Sequence, residues 1–131
     1  MNILLIEDNH VEHLLLRETL KLQGIEAKIE FIDDGIKALQ VMKGDRVLDG
    51  FERPDIIILD INLPGYNGIE LLEKAKNFDC MKGIPIYILS NSYSNLDKVT
   101  SNELGVKGFF TKPMDYGEYS EIVKTISSIQ L

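Results

Sequence analysis

Apolar and polar positions run along the chain in two rhythms. Short runs dense in Ile, Leu and Val recur between longer stretches whose apolar residues return every three or four positions. That alternation predicts βα units on a parallel sheet, with five strands. Residues 3–6 form the first, ahead of a helix in which Val11, Leu14, Leu15 and Leu22 fall on one broad face. Asn9, with Glu12 three residues later, has the arrangement of a helix cap. Residues 26–32 alternate charged and apolar side chains, as suits an edge strand with one wetter face. A helix over residues 35–43 follows. Residues 56–60, Ile-Ile-Ile-Leu-Asp, are so uniformly apolar before the final acid that a central strand is expected there.

After the turn Pro-Gly-Tyr-Asn-Gly, Ile69, Leu72 and Ala75 mark a third helix, and residues 84–89 a buried fourth strand. Leu96, Val99 and Leu104 mark a fourth helix, and residues 107–110 the last strand. Tyr119, Ile122, Val123, Ile126 and Ile129 recur at helical spacing in a fifth helix, with Asp115 and Glu118 placed to cap it. Residues 44–54 have no clean period and carry two glycines, a proline and five charges, so a long surface connection is expected.

A length of 131 residues leaves room for one domain and one sizeable core. With 44% hydrophobic and 27% charged residues, the composition is that of an ordinary globular protein. The balance of 14 Lys and Arg against 21 Asp and Glu, net −7, comes with no basic run able to track a phosphate backbone, which argues against direct nucleic-acid binding. The N-terminal apolar run is broken by Glu7 and Asp8, and no run approaches the roughly 20 residues of a membrane span. A cytoplasmic protein without membrane contact is expected. Cys80 is the single cysteine, with no metal or nucleophile context. His10 and His13 are a poor zinc pair without further ligands and read as exposed polar positions.

In open α/β sheets the ligand site lies outside the carboxyl ends of the strands. Those ends carry Glu7 and Asp8 after the first strand, Asp60 on the third, Ser90 and Asn91 on the fourth, and Lys112 with Pro113 after the fifth. Three carboxylates brought together repel one another unless a cation neutralises them. Magnesium, a hard ion that prefers oxygen and keeps positions open for waters or phosphate oxygens, is the natural candidate. Lys112 could then pair with Asp60 or a phosphoryl oxygen, and Ser90 could donate to the same group. This is the set of parts that phosphoryl transfer to Asp60 would need: a carboxylate nucleophile, charges that offset the transferring group, and a hydroxyl donor.

The segments Leu-Leu-Ile-Glu-Asp-Asn, Leu-Asp-Ile-Asn-Leu-Pro-Gly-Tyr-Asn-Gly, Leu-Ser-Asn-Ser and Phe-Phe-Thr-Lys-Pro resemble those of the receiver domain of bacterial two-component response regulators, and they span nearly the whole chain. The resemblance implies an α/β fold, a doubly wound five-stranded parallel sheet of flavodoxin-like order 2-1-3-4-5 with helices on both faces, and one receiver domain over residues 1–131 with no output domain. It implies that Asp60 accepts phosphate from a histidine kinase or phosphotransfer protein, and that the protein catalyses only its own phosphorylation and dephosphorylation. Mg2+ would be held by Asp8 and Asp60, by Glu7 through a water, and by the main-chain carbonyl of Asn62. Lys112 would bond the phosphoryl group, Ser90 and Phe109 would form the switch, and the Lys112–Pro113 bond would be cis.

Two departures stand out. Asn91 occupies a position usually Ala or Gly, where a larger polar side chain would restrict access to the phosphorylation site and slow phosphoryl decay. The connection over residues 44–54 is long, as in small regulators paired with bacterial phytochromes, which makes a phytochrome-type kinase the expected partner. Without an output module the signal would leave through an unidentified downstream protein or a homodimer built on helix 4, strand 5 and helix 5. Tyr116, Tyr119 and residues 126–131 could supply apolar contacts, although most of these fall in the core stripe. Three alternatives are weaker. A magnesium phosphatase with an Asp nucleophile usually carries a second Asp two residues on, where this chain has Asn62. A degenerate receiver normally lacks one of the acids, the hydroxyl or the lysine. A nucleotide-binding module would want a glycine-rich phosphate loop, and none is present.

Overall fold

A computed structural model of the chain describes residues 1–46, 53–90, 103–111 and 116–128. Within them β1 (Asn2–Ile6), β2 (Lys28–Ile32), β3 (Ile56–Leu59), β4 (Ile86–Ser90) and β5 (Gly108–Thr111) form one all-parallel sheet of order β2-β1-β3-β4-β5. The expected order is therefore the observed one, and β2 is the edge strand that its alternating pattern suggested.

The sheet is buried on both faces because β3 is apolar at every position and the inner strands beside it are polar only at their ends, Asn2 of β1 and Ser90 of β4. Along β1, Ile3 and Leu5 turn to one face while Leu4 and Ile6 turn to the other. On the first face Leu16 and Leu20 of α1 (His10–Leu22) pack with Tyr119, Ile122, Val123 and Ile126 of the final helix (Tyr116–Ser127). On the second, Ala38 and Met42 of α2 (Gly35–Lys43) meet Leu71, Leu72 and Ala75 of α3 (Gly68–Ala75). A short 3-10 turn, Asp79–Met81, follows α3.

The α1 face is a correction. The stripe read from the sequence is largely in water: Val11 is 56%, Leu14 58% and Leu22 67% exposed. The helix instead buries Glu12, Leu16, Thr19 and Leu20. Its phase is set before it begins, by the side chain of Asn9 accepting the Val11 N–H and by Glu7 holding the loop ahead of it. Thr19 sits on the buried face because its hydroxyl donates to the Leu15 carbonyl at 2.7 Å and leaves no donor unmet.

The final helix buries Tyr119 and Ile126 completely, so neither is available to a dimer contact. The fourth helix expected around Leu96 and Val99, the cap Asp115, and the tail from Ile129 lie outside the described residues, as do residues 47–52 of the long connection. Gly44, in the left-handed region at φ +90°, ends α2 at its start.

Candidate functional site

The ladder itself assembles the site. Ile6 pairs with Leu59, so β1 and β3 end side by side, and the Asp60 N–H donates to the Ile6 carbonyl at 2.9 Å while the Glu7 N–H donates to Ile32 at 2.9 Å. Glu7, Asp8 and Asp60 consequently emerge together at the carboxyl edge, and one carboxylate oxygen from each lies within 4.8 Å of the others. Glu7 and Asp60 are each only 1% exposed, whereas Asp8 is exposed. Two buried carboxylates and one solvent-facing one form a cup that is open on one side.

Backbone amides hold the cup's walls. Glu7 Oε1 accepts the N–H groups of Asp8 and Asn9 at 3.1 and 3.2 Å. Asp60 Oδ1 accepts the Asn62 N–H at 3.0 Å, which fixes the plane of its carboxylate. This explains how the apolar run of β3 can close on an acid: the buried carboxylate finds main-chain donors at once.

The loop behind Asp60 is packed too tightly for side chains at two glycines. A Cβ on Gly68 would sit 2.7 Å from the Asp60 carbonyl oxygen and 2.8 Å from Ile61 Cα, and a Cβ on Gly35 would fall inside the Tyr66 main chain. The Gly68 N–H donates to Ile61 at 2.8 Å and the Gly35 N–H to Pro64 at 2.9 Å. Asn67 and Glu70 close a capping box that starts α3. Sequence reading took these residues as turn and helix material and missed their task of fixing Asp60. No residue-type signal marked it, because what Gly35 and Gly68 contribute is an absence of volume beside Tyr66 and Asp60.

Of the other predicted site residues, Asn62 is exposed beside Asp60, and Phe109 is half-buried on β5, where it pairs with Ile88 of β4 and packs on the α2 and α3 face. Ser90 closes β4, and its backbone pairs with Thr111. The Ser90 side chain, Asn91, Lys112 and the Lys112–Pro113 bond lie outside the described residues. His10 and His13 flank the Phe31 ring at 4.8 Å each, His13 stacked parallel to it, and Arg17 lies 2.9 Å from His13 Nε2. Neither histidine joins a cluster of metal-ligating groups among the described residues. Cys80 is exposed. No helix among the described residues is long and apolar enough to cross a membrane.

Comparison with known proteins agrees with this geometry. Residues 3–124 match the family described as the response regulator receiver domain. The chain is 32% identical over 129 residues to response regulator Rcp1 of Synechocystis, covering 98% of this chain and 88% of that protein. It is 34% identical over 125 residues to sporulation initiation phosphotransferase F of Bacillus subtilis, covering 93% and 90%. The crystal structure of the Mn2+-bound form of Rcp1 superposes with a TM-score of 0.85 at 30% identity, over 99% of this chain and 97% of that one. The phosphorylated cyanobacterial phytochrome response regulator RcpA does so with 0.84 at 32%, over 96% and 90%.

Proposed function

The chain belongs to the response regulator receiver domains, and on that premise we propose that Asp60 is the residue it phosphorylates. The observation that carries this is the convergence of Glu7, Asp8 and Asp60 within 4.8 Å at the carboxyl edge, with Asp60 buried and held by the Asn62 N–H. In the forward step a carboxylate oxygen of Asp60 bonds to the phosphorus of a phosphohistidine, the P–N bond breaks, and the imidazole leaves and takes up a proton. In the reverse direction of the cycle water attacks the acyl phosphate, the bond between the phosphoryl group and Asp60 breaks, and the carboxylate is regenerated as inorganic phosphate leaves. The protein thus acts catalytically only on its own phosphoryl group.

Three carboxylates are a hard, all-oxygen donor set that fits a divalent cation, and Mg2+ is the ion we assign. Asp8 and Asp60 would bind it directly, Glu7 through a water and Asn62 through its carbonyl. Bound there, the ion would supply positive charge opposite the phosphoryl oxygens. Lys112 would neutralise the same oxygens from the β5 side, Ser90 would donate to them, and Phe109 would repack as Ser90 moves, so that the face around helix 4, strand 5 and helix 5 carries the signal.

The phosphodonor is a histidine kinase or a histidine-bearing phosphotransfer protein, working in the cytoplasm. Likeness to RcpA supports a phytochrome-type kinase. The exposed Val11 and Leu14 on the first turns of α1, just beyond Asp8, provide apolar surface on the side from which such a donor must approach. We further assign residues 1–131 to a single receiver unit that meets a downstream protein or a second copy of itself through the face around helix 4, strand 5 and helix 5. A shift in light-scattering mass on phosphorylation would support the dimer, and a monomer in both states would remove it.

The test is incubation with acetyl phosphate and Mg2+ followed by intact mass. Wild type gains one phosphoryl group, a chelator abolishes the gain, and Asp60→Asn shows none. An equal gain in Asp60→Asn would overturn the assignment.

A further inference from the structure

The sheet ends at β2, whose outer edge carries no strand among the described residues. The Lys28 N–H donates to Met1 and the Ile32 carbonyl accepts from Glu7, so residues 28, 30 and 32 turn their backbone groups toward β1. By the alternation of a strand, the N–H and C=O groups of Ile29 and Phe31 point away from the sheet. Beside this edge, against α1, lies a cavity of about 460 Å³. Leu20, Ile25 and Ile29 supply its apolar floor and the exposed Arg17, Lys21 and Lys28 its rim, with Glu26 the one acid in its lining.

We propose that this groove docks an extended acidic segment of a partner protein, which adds to β2 as a further strand. Charge complementarity selects the occupant. The chain as a whole carries −7, yet the exposed Arg17 and Lys21 of α1 line this groove against the single carboxylate of Glu26, so the local sign is opposite to that of the molecule. The open backbone groups of Ile29 and Phe31 give such a segment its ladder, and the apolar floor takes alternate side chains from it.

The wall is built in advance. Gln23 Nε2 donates to the Ser120 hydroxyl at 2.7 Å and its carbonyl at 3.2 Å, tying the end of α1 to the final helix. The Ile25 N–H returns to the Leu20 carbonyl at 2.9 Å, which fixes the turn into β2. A preformed groove loses little ordering entropy on binding. It also lies at the amino end of β2, away from the carboxyl edge that holds Asp60, so occupancy does not depend on phosphorylation. The site is a constitutive tether that leaves the phosphorylation site free.

The probe is a fluorescent eight-residue peptide alternating Glu and Val, titrated into the full chain by anisotropy, with amide hydrogen exchange recorded alongside. Saturable binding is expected, weakening as salt rises, together with slowed exchange at the Ile29 and Phe31 amides. A Lys-Val peptide of equal length does not bind. The double variant Arg17→Glu, Lys21→Glu binds the acidic peptide at least about tenfold more weakly. Both residues are exposed, and acetyl phosphate labelling of the variant stays at the wild-type level. No binding, unchanged binding in the variant, or binding that leaves those two amides unprotected would each overturn the proposal. The exchange experiment on unaltered protein decides it without any variant.

Discussion

Replacing Asp60 by Asn should make the metal-free protein more stable. Glu7 and Asp60 are both 1% exposed, and their carboxylate oxygens lie within 4.8 Å. At an effective dielectric of about 20, two unit charges at that range repel by about 3 kcal/mol. The variant keeps an Oδ1 to accept the Asn62 N–H that Asp60 now accepts at 3.0 Å, so that hydrogen bond survives while the charge goes. Attractive contacts of the Asp60 carboxylate offset part of the repulsion, and the net gain expected is about 1–2 kcal/mol. For a domain of this size that raises Tm by roughly 3–8 °C. The assay is thermal unfolding by circular dichroism in a chelator and again in Mg2+. In the chelator the variant melts higher. Mg2+ at 100 times its dissociation constant stabilises wild type by about 2.7 kcal/mol and the variant by clearly less, which narrows the gap. A variant that melts at or below wild type in the chelator would refute the repulsion argument, and equal stabilisation of both by Mg2+ would remove Asp60 from the metal site.

Gly68→Ala places a methyl 2.7 Å from the Asp60 carbonyl oxygen, and the displaced loop should cost about 1–3 kcal/mol in urea unfolding despite the better helix propensity of Ala. Unchanged stability would show that the loop yields freely. The pKa of His13 is lowered by burial first, then by the neighbouring Arg17 and His10 charges. The unfolded chain therefore takes up this proton before the folded one does, so the contribution is intact above the unfolded value of 6.5 and is lost as pH falls below it. His13→Gln should flatten that decline in urea midpoints measured from about pH 7.5 to 5, and parallel curves would count against it. Asn91→Ala should speed loss of the phosphoryl group in a radiolabel decay assay, and an unchanged rate would end the shielding idea.

What could be read in advance depended on how directly a residue's type reported its surroundings. The isoleucines of residues 56–58 announced a strand buried on both faces because every position was apolar, and the burial of all of them agrees. Asp60 announced a site because a carboxylate at the end of such a strand needs a reason. The face of α1 was not legible in the same way. That helix carries two apolar stripes, and the one with more Leu and Val by count is the exposed one, since Thr19 and Glu12 occupy the buried face alongside Leu16 and Leu20. Hydrophobic period reports that a helix is amphipathic but not its phase when a residue such as Thr19 can turn inward with its hydroxyl bonded to the carbonyl of Leu15. Gly35 and Gly68 were illegible for a different reason: their role is an absence of volume, visible only once Tyr66 and Asp60 are beside them.

The same packing bears on where a change at Asp60 can travel. On the α2 and α3 side the loop after β3 is over-determined: Gly68 abuts Asp60, Gly35 abuts Tyr66, Gly65 at φ +83° rests on Ile36, and a capping box closes Asn67 onto Glu70. A displacement there would have to break several close contacts at once, and close-packed interiors resist small shifts. Toward the β5 edge of the same face Phe109 is only half-buried, next to Ile88 across the β4 and β5 ladder, with Ser90 at the end of β4. A half-buried ring costs less to move than a sealed loop. The rigid wall at Gly68 therefore directs the proposed response of Asp60 toward β4 and β5. If Gly68→Ala loosened that wall, phosphorylation would perturb α2 and α3 as well, and amide shifts on phosphorylation would spread from β4 and β5 to those two helices.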